Sequence, residues 1–205
     1  MITNGYTTQA EFKAFQTVRG GSSSTDTADD AVIDSIIEAV SRRIDELVGR
    51  RFWKNGTDEI RYFQTDDSYK VKIGDLGASP TTVSVDYSDN RTYTNLVAAD
   101  WEAEPVNAAL DGKPYTQIVI APSNLTSAYF PTCRRGVKVT GKFGFPAVPA
   151  DIKELCLEIT LNVYQSRSGQ SSAGNITITA AGVVIRPQDI PAAGWKTIEG
   201  YRNYL

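Results

Sequence analysis

Few side chains in this sequence are of the types that do chemistry. Acidic pairs occur at Asp29-Asp30 and Asp66-Asp67, thiols at Cys133 and Cys156, and basic runs at Lys70/Lys72 and Lys138/Lys142, with Arg134-Arg135 upstream of the second run. Paired carboxylates can exchange a proton or hold a cation, as general acid–base and metal-assisted reactions require. Asp29-Asp30, however, opens a segment of helical periodicity, where acids serve the helix dipole, and Asp66-Asp67 reads as a turn. Neither pair is expected to be catalytic. The sequence has no histidine, so the commonest general base and the commonest metal ligand are both missing, and with them the usual triads and zinc sites. There is no Gly-x-x-x-x-Gly-Lys-Ser/Thr phosphate loop, no Cys-x-x-Cys and no Gly-x-Ser-x-Gly elbow. No cofactor and no metal are expected.

The remaining signals have plain readings. The sequence does not decide whether Cys133 and Cys156 meet; two unpaired thiols in a reducing compartment is the simpler reading. Triplets of glycosylation type begin at Asn55, Asn90, Asn124 and Asn175, and without a secretory signal the turn preference of Asn explains them better. Trp53, Trp101 and Trp195 are too scattered for a sugar platform or a base-stacking surface. The lysines alternate with apolar residues, Lys70 and Lys72 with Val71 and Ile73, Lys138 and Lys142 with Val137, Val139 and Phe143. One reading is a solvated strand face that discourages edge pairing; the other is a cationic strip facing phosphate along a DNA channel.

The chain has 205 residues, 41% hydrophobic and 22% charged, with a net charge of -3, the composition of a folded protein with ample core and no bulk field for nucleic acid. The start, MITNGYTTQAEF, lacks the basic and apolar runs of a signal peptide, and no stretch is apolar enough to span a bilayer. The expectation is a protein made in the cytosol, with no membrane partner.

The elements that would position these residues fall into three parts. In residues 27–51, Ile33, Ile36, Ile37, Val40, Ile44, Leu47 and Val48 recur at intervals of three and four, which predicts a long amphipathic helix capped by Thr27. A short helix over QAEFKAFQTV precedes it, after a disordered-looking start at 1–6 and a flexible joint at 20–25. Residues 59–64, 69–73, 82–87, 115–121 and 136–143 read as strands separated by turn formers. Residues 151–168, with Leu155 and Ile159 in register, predict a second long helix. A Ser/Gly joint follows at 168–174, then a β-prone pair around Ala181-Gly182 that could form a hairpin, and a short helix signalled by Asp189 and Pro191. The fold expected is α+β: a helical core from both ends of the chain, at 1–53 and 146–205, interrupted by an inserted antiparallel β-module at 54–145.

In order along the chain, TTQAEFKAF, DDAVIDSIIEAVSRRIDELVGRRFW, DGKPYTQIVI and VKVTGKFGFPAVPADIKELCLEITLNVY resemble the head-tail adaptor proteins of long-tailed double-stranded DNA bacteriophages, also called connector or head completion proteins. The resemblance implies a non-enzymatic virion protein that forms a dodecameric ring beneath the portal. The ring would extend the DNA channel, touch the double-stranded DNA only transiently and without sequence preference, and present a surface to the next head-completion or tail protein. It also implies a place in the capsid neck, reached from the host cytoplasm during assembly. The slightly acidic total suits a wall along which DNA slides.

The crowded apolar and aromatic residues at the end of the chain, Trp195, Ile198, Tyr201, Tyr204 and Leu205, with Arg202 among them, suit an interface, and the resemblance implies portal docking there. The alternative is that this segment folds back as one more core helix. Other functional readings are a different neck ring, such as a head-closure or tail-terminator protein, and a carbohydrate-binding β-module. A sequence-specific DNA binder would need a recognition helix, and none is visible.

Overall fold

The computed structural model describes residues 2–19, 27–124, 128–167, 177–178, 184–185, 190 and 192–202. The joints expected at 20–25 and 168–174, Asn175, the Ala181-Gly182 turn, Asp189, Pro191, Tyr204 and Leu205 lie outside these residues. The fold is α+β, with four α-helices and antiparallel sheets among the described residues. The chain divides into two compact units, Met1–Arg50 with Val148–Leu205, and Arg51–Ala147.

In the first unit, α1 (Gln9–Val18) starts on a capping box. The Glu11 N–H donates to Thr8 Oγ1 at 3.3 Å while the Thr8 N–H donates to the Glu11 carboxylate at 2.9 Å, which satisfies two otherwise unpaired donors. α2 (Asp30–Val48) buries Ile33, Ile36, Ile37, Val40, Ile44 and Val48 on one stripe, with Leu47 half-buried at its edge. The stripe packs on α3 (Ala150–Arg167), which contributes Ile152, Leu155, Cys156 and Ile159. Each such side chain is worth about 2 kcal/mol of burial, so this seam holds the unit together more than helix propensity does. α4 (Ala192–Tyr201) packs on both α2 and α3. Two short strands, β8 (Thr177–Ile178) and β9 (Val184–Ile185), pair antiparallel; their labels follow the seven strands of the second unit.

Three expectations are corrected in this unit. The N-cap of α2 is Asp29 rather than Thr27, and its side chain makes no cap hydrogen bond; its carboxylate instead accepts from the Tyr164 hydroxyl of α3 at 2.7 Å. A tertiary partner outcompeted the local one. The helix also stops at Val48, because Gly49 turns left-handed at φ 73°. Residues 2–6, within the start expected to be disordered, are held on α2. The Tyr6 ring is buried, its N–H donates to Ser41 Oγ at 3.0 Å, its hydroxyl bonds Asp45, and Arg42 lies over the ring. One amphipathic tyrosine ties down a segment whose other residues gave no such signal.

The second unit is a sandwich of two antiparallel sheets. One runs β1-β7-β3-β4, made of Glu59–Phe63, Val137–Gly141, Thr82–Val85 and Thr94–Asn95; the other runs β2-β6-β5, made of Lys70–Leu76, Tyr115–Ile120 and Trp101–Glu104. Alternation turns Val71, Ile73, Val83, Val85, Ile118, Ile120, Val137 and Val139 inward, and with Leu76, Phe130 and Phe143 they form one core. β4 and β5 had no sequence expectation. β4 is two exposed residues, and β5, WEAE, is short and half acidic, so both lack the β-branched run that marks a strand.

The segments by which the chain enters and leaves this unit lie side by side. The Asn55 N–H donates to the Phe143 carbonyl at 3.1 Å, and the Phe52 and Phe145 rings stand 4.9 Å apart. Gly144, at φ 116°, is pressed so closely to Trp53 that a Cβ would overlap its carbonyl oxygen. The two most specific stretches of the resemblance, ending at Phe52 and beginning at Val139, thus meet at one junction.

Candidate interaction surfaces

Three of the four paired carboxylates have structural partners. Asp29 takes the Tyr164 hydroxyl, and Asp30 takes the Lys13 ammonium at 2.6 Å. Asp67 accepts from the Tyr69 N–H at 2.8 Å within its turn, beside Asp66. Among the described residues no group of three His, Cys, Asp or Glu side chains is placed to hold a metal. Cys133 and Cys156 are both free thiols. Burial pushes the Cys156 thiol up to about 11, against a smaller opposing effect of Ser41, which suits an inert core residue. Trp53 lies under the Arg51 guanidinium at 4.2 Å, Trp101 packs against the sandwich core, and Trp195 is on α4, so the three tryptophans form no common platform. Among the described residues no helix is long and apolar enough to cross a membrane.

The four lysines do not form one strip. Lys70 and Lys72 are exposed on the outer face of the three-stranded sheet, where Lys70 aligns through Val119 with Glu102, and Lys72 through Gln117 with Glu104. Gln117 bonds the Glu104 carboxylate. That face carries both signs of charge, with Asp66 and Asp67 beside the lysines. Lys138 stands on the outer face of the other sheet, and Lys142 lies half-buried just beyond β7.

Around Lys138 the structure builds an arginine–tyrosine corner that the sequence did not announce. Tyr62 of β1 is opposite Lys138 in register, and its ring packs on Tyr93 at 5.6 Å. The Arg135 guanidinium covers Tyr62 at 4.1 Å, and Lys138 Nζ lies 4.9 Å from the Tyr93 ring centre. Beneath it, the buried Asp86 carboxylate accepts backbone N–H groups of Ser88, Asn90 and Arg91 at 3.3, 3.2 and 2.7 Å. Burial works to raise the Asp86 pKa, but these donors and the Arg91 charge outweigh it and hold the carboxyl below its usual value. The signal was spread over four segments, so no local pattern revealed it.

The expected docking residues separate. α4 turns Ile198 into the unit, leaving it 1% exposed, while Trp195 is 42% exposed. The Tyr201 hydroxyl donates to Asp151 at 3.1 Å, and Arg202 is exposed at the end of the described helix. Ile198 therefore offers no surface in this conformation, because its apolar side chain finds α2 and α3.

These features define a class: a helical unit assembled from both ends of a chain and interrupted by a β-sandwich. No protein-family model matches the chain, and no curated protein matches it by sequence. Solved structures share its fold, two of them from gene transfer agent particles. One is described as the neck of an empty GTA particle computed with C6 symmetry, at 19% identity and a TM-score of 0.55, over 96% of this chain and 89% of that one. The other is the virion of a native gene transfer agent (GTA) particle, also at 19% identity and 0.55, over 100% of this chain and 93% of that one. At this identity the likeness is one of fold.

Proposed function

We propose that this chain is a non-enzymatic structural component of the neck of a phage-like particle. More specifically, it is a head-tail adaptor that forms a dodecameric ring under the portal, extends the DNA channel and receives the next neck or tail protein. The observation that carries the reading is the fold shared with a neck chain of a GTA particle along nearly the full length of both chains. The ordered resemblance of DDAVIDSIIEAVSRRIDELVGRRFW and VTGKFGFPAVPADIKE to the adaptor family supports the narrower role. Helices of the first unit supply the common core, the β-sandwich is the variable insert, and the exposed end of α4, with Trp195 and Arg202, docks on the portal. DNA passes such a ring with transient contact only.

The test is removal of the gene from a producing cell, followed by electron microscopy of the particles. Filled capsids without tails, rescued by the supplied chain, are expected, with the labelled chain at the neck. Normal tailed particles without it would overturn the reading.

A further inference from the structure

The outer face of a solvated sheet should be polar, yet β1 places Ile60 and Tyr62, 54% and 41% exposed, side by side on the outer face of its sheet. The Arg135 guanidinium covers Tyr62, Lys138 is opposite Tyr62 in register, and exposed Arg134 adjoins Arg135 in the chain; among the described residues none of the three makes an ion pair. The nearby carboxylates, Asp86 and Asp89, both face Arg91. The corner is held rigid. Tyr93 donates from its hydroxyl to the Arg135 carbonyl at 2.8 Å, and Arg91 donates to the Arg134 carbonyl at 2.8 Å. Arg91 and Arg135 keep left-handed backbones at φ 68° and 62°, which the surrounding contacts must enforce. A surface fixed in advance loses little freedom when it binds.

The geometry points to this corner as the surface by which one copy of the chain grips the acidic helical unit of a second copy. Tyrosine and arginine are the side chains that carry binding energy between proteins, and the apolar pair Ile60 and Tyr62 is surface that a phosphate backbone would leave wet. A protein partner with carboxylates is therefore favoured, and this chain supplies one. Acidic and basic residues are equal in number within 51–147, so the entire excess of negative charge, -3, belongs to the helical unit. That unit has a groove of about 470 Å³ on the outer side of α2, lined by Ala31, Asp34, Ser35, Glu38, Ala39 and Arg42. Small residues at four-residue spacing leave room for a ring between Asp34 and Glu38. A contact between two different surfaces repeats head to tail and closes into a ring when the rotation allows. This inference rests on the ring proposed above.

A charge exchange tests it. R134E/K138E reverses the corner, D34K/E38K reverses the groove, and both changes are on the surface, with circular dichroism as the fold control. Self-association is read by sedimentation velocity over a concentration series and by incorporation into particles. Each variant alone should associate at least tenfold more weakly than wild type, and an equal mixture of the two should recover association, because each reversed surface then meets its complement. Wild-type association should also weaken with salt. Variants that enter particles as wild type does, or a mixture that fails to recover, would overturn this contact and leave the neck assignment standing. A wild-type chain that stays monomeric and is absent from particles overturns both. Duplex DNA binding lost in R134E/K138E, with self-association intact, would reassign the corner to nucleic acid.

Discussion

Gly144 concentrates two constraints on one residue. Its φ of 116° is strained for any side chain, and a Cβ there would meet the Trp53 carbonyl. Gly144→Ala should therefore cost about 3 kcal/mol, from backbone strain and overlap together. A urea melt measures this, and a change below about 1 kcal/mol would mean that the junction relaxes. Glu11 makes a different kind of prediction. The hydrogen bond from Lys153, reinforced by Thr8 and Thr7 against burial, lowers its carboxyl from 4.5 to about 2. A carboxyl with a lowered folded value stabilises fully above its unfolded value near 4.5, and that stability fades as pH falls toward 2. The pair is well exposed, so its whole contribution is about 1 kcal/mol or less. Glu11→Gln should lower stability at pH 6 and do so much less at pH 2; an equal loss at both would show that the charge is not what matters.

At the scale of elements, α4 poses the sharper question, because its two faces have opposite fates. Ile198→Asp should melt the helical unit by burying an unpaired charge, whereas Trp195→Ala should leave the melting temperature within about 2 °C and weaken portal binding. Portal binding unchanged in Trp195→Ala would move the docking surface elsewhere. The helices were legible in the sequence because each carries its burial pattern in its own spacing, as the Ile33 to Val48 stripe does. What could not be read depends on partners distant in sequence. Asp29 left its cap for Tyr164, Tyr6 found Asp45, and β5 became a strand because β6 lay beside it. The arginine–tyrosine corner is the extreme case, with Tyr62 on β1 meeting Arg91, Tyr93 and Arg135 from the segments that precede β4 and β7. A sequence pattern reports what a segment buries; it does not report which residues two segments share.

For the molecule as a whole, the charge layout bears on the DNA channel proposed above. Lys70 and Lys72 face Glu102 and Glu104 across one sheet, so Lys70→Glu with Lys72→Glu should leave particle assembly and DNA retention unchanged. Early loss of DNA from such particles would give those lysines a role in the channel after all. The side-by-side junction at Asn55 and Phe143 has a further consequence. An insert whose two ends emerge together can be cut out with both ends rejoined by a few residues, since the chain on either side need not move to close the gap. Joining residue 53 to residue 146 through a short Gly-Ser bridge should give a soluble chain with the circular dichroism of helices and a cooperative melt. The β-sandwich is then an exchangeable cassette: recombination can replace it at a single point of attachment, and a lineage can change what the sandwich meets without redesigning the helical unit that carries it.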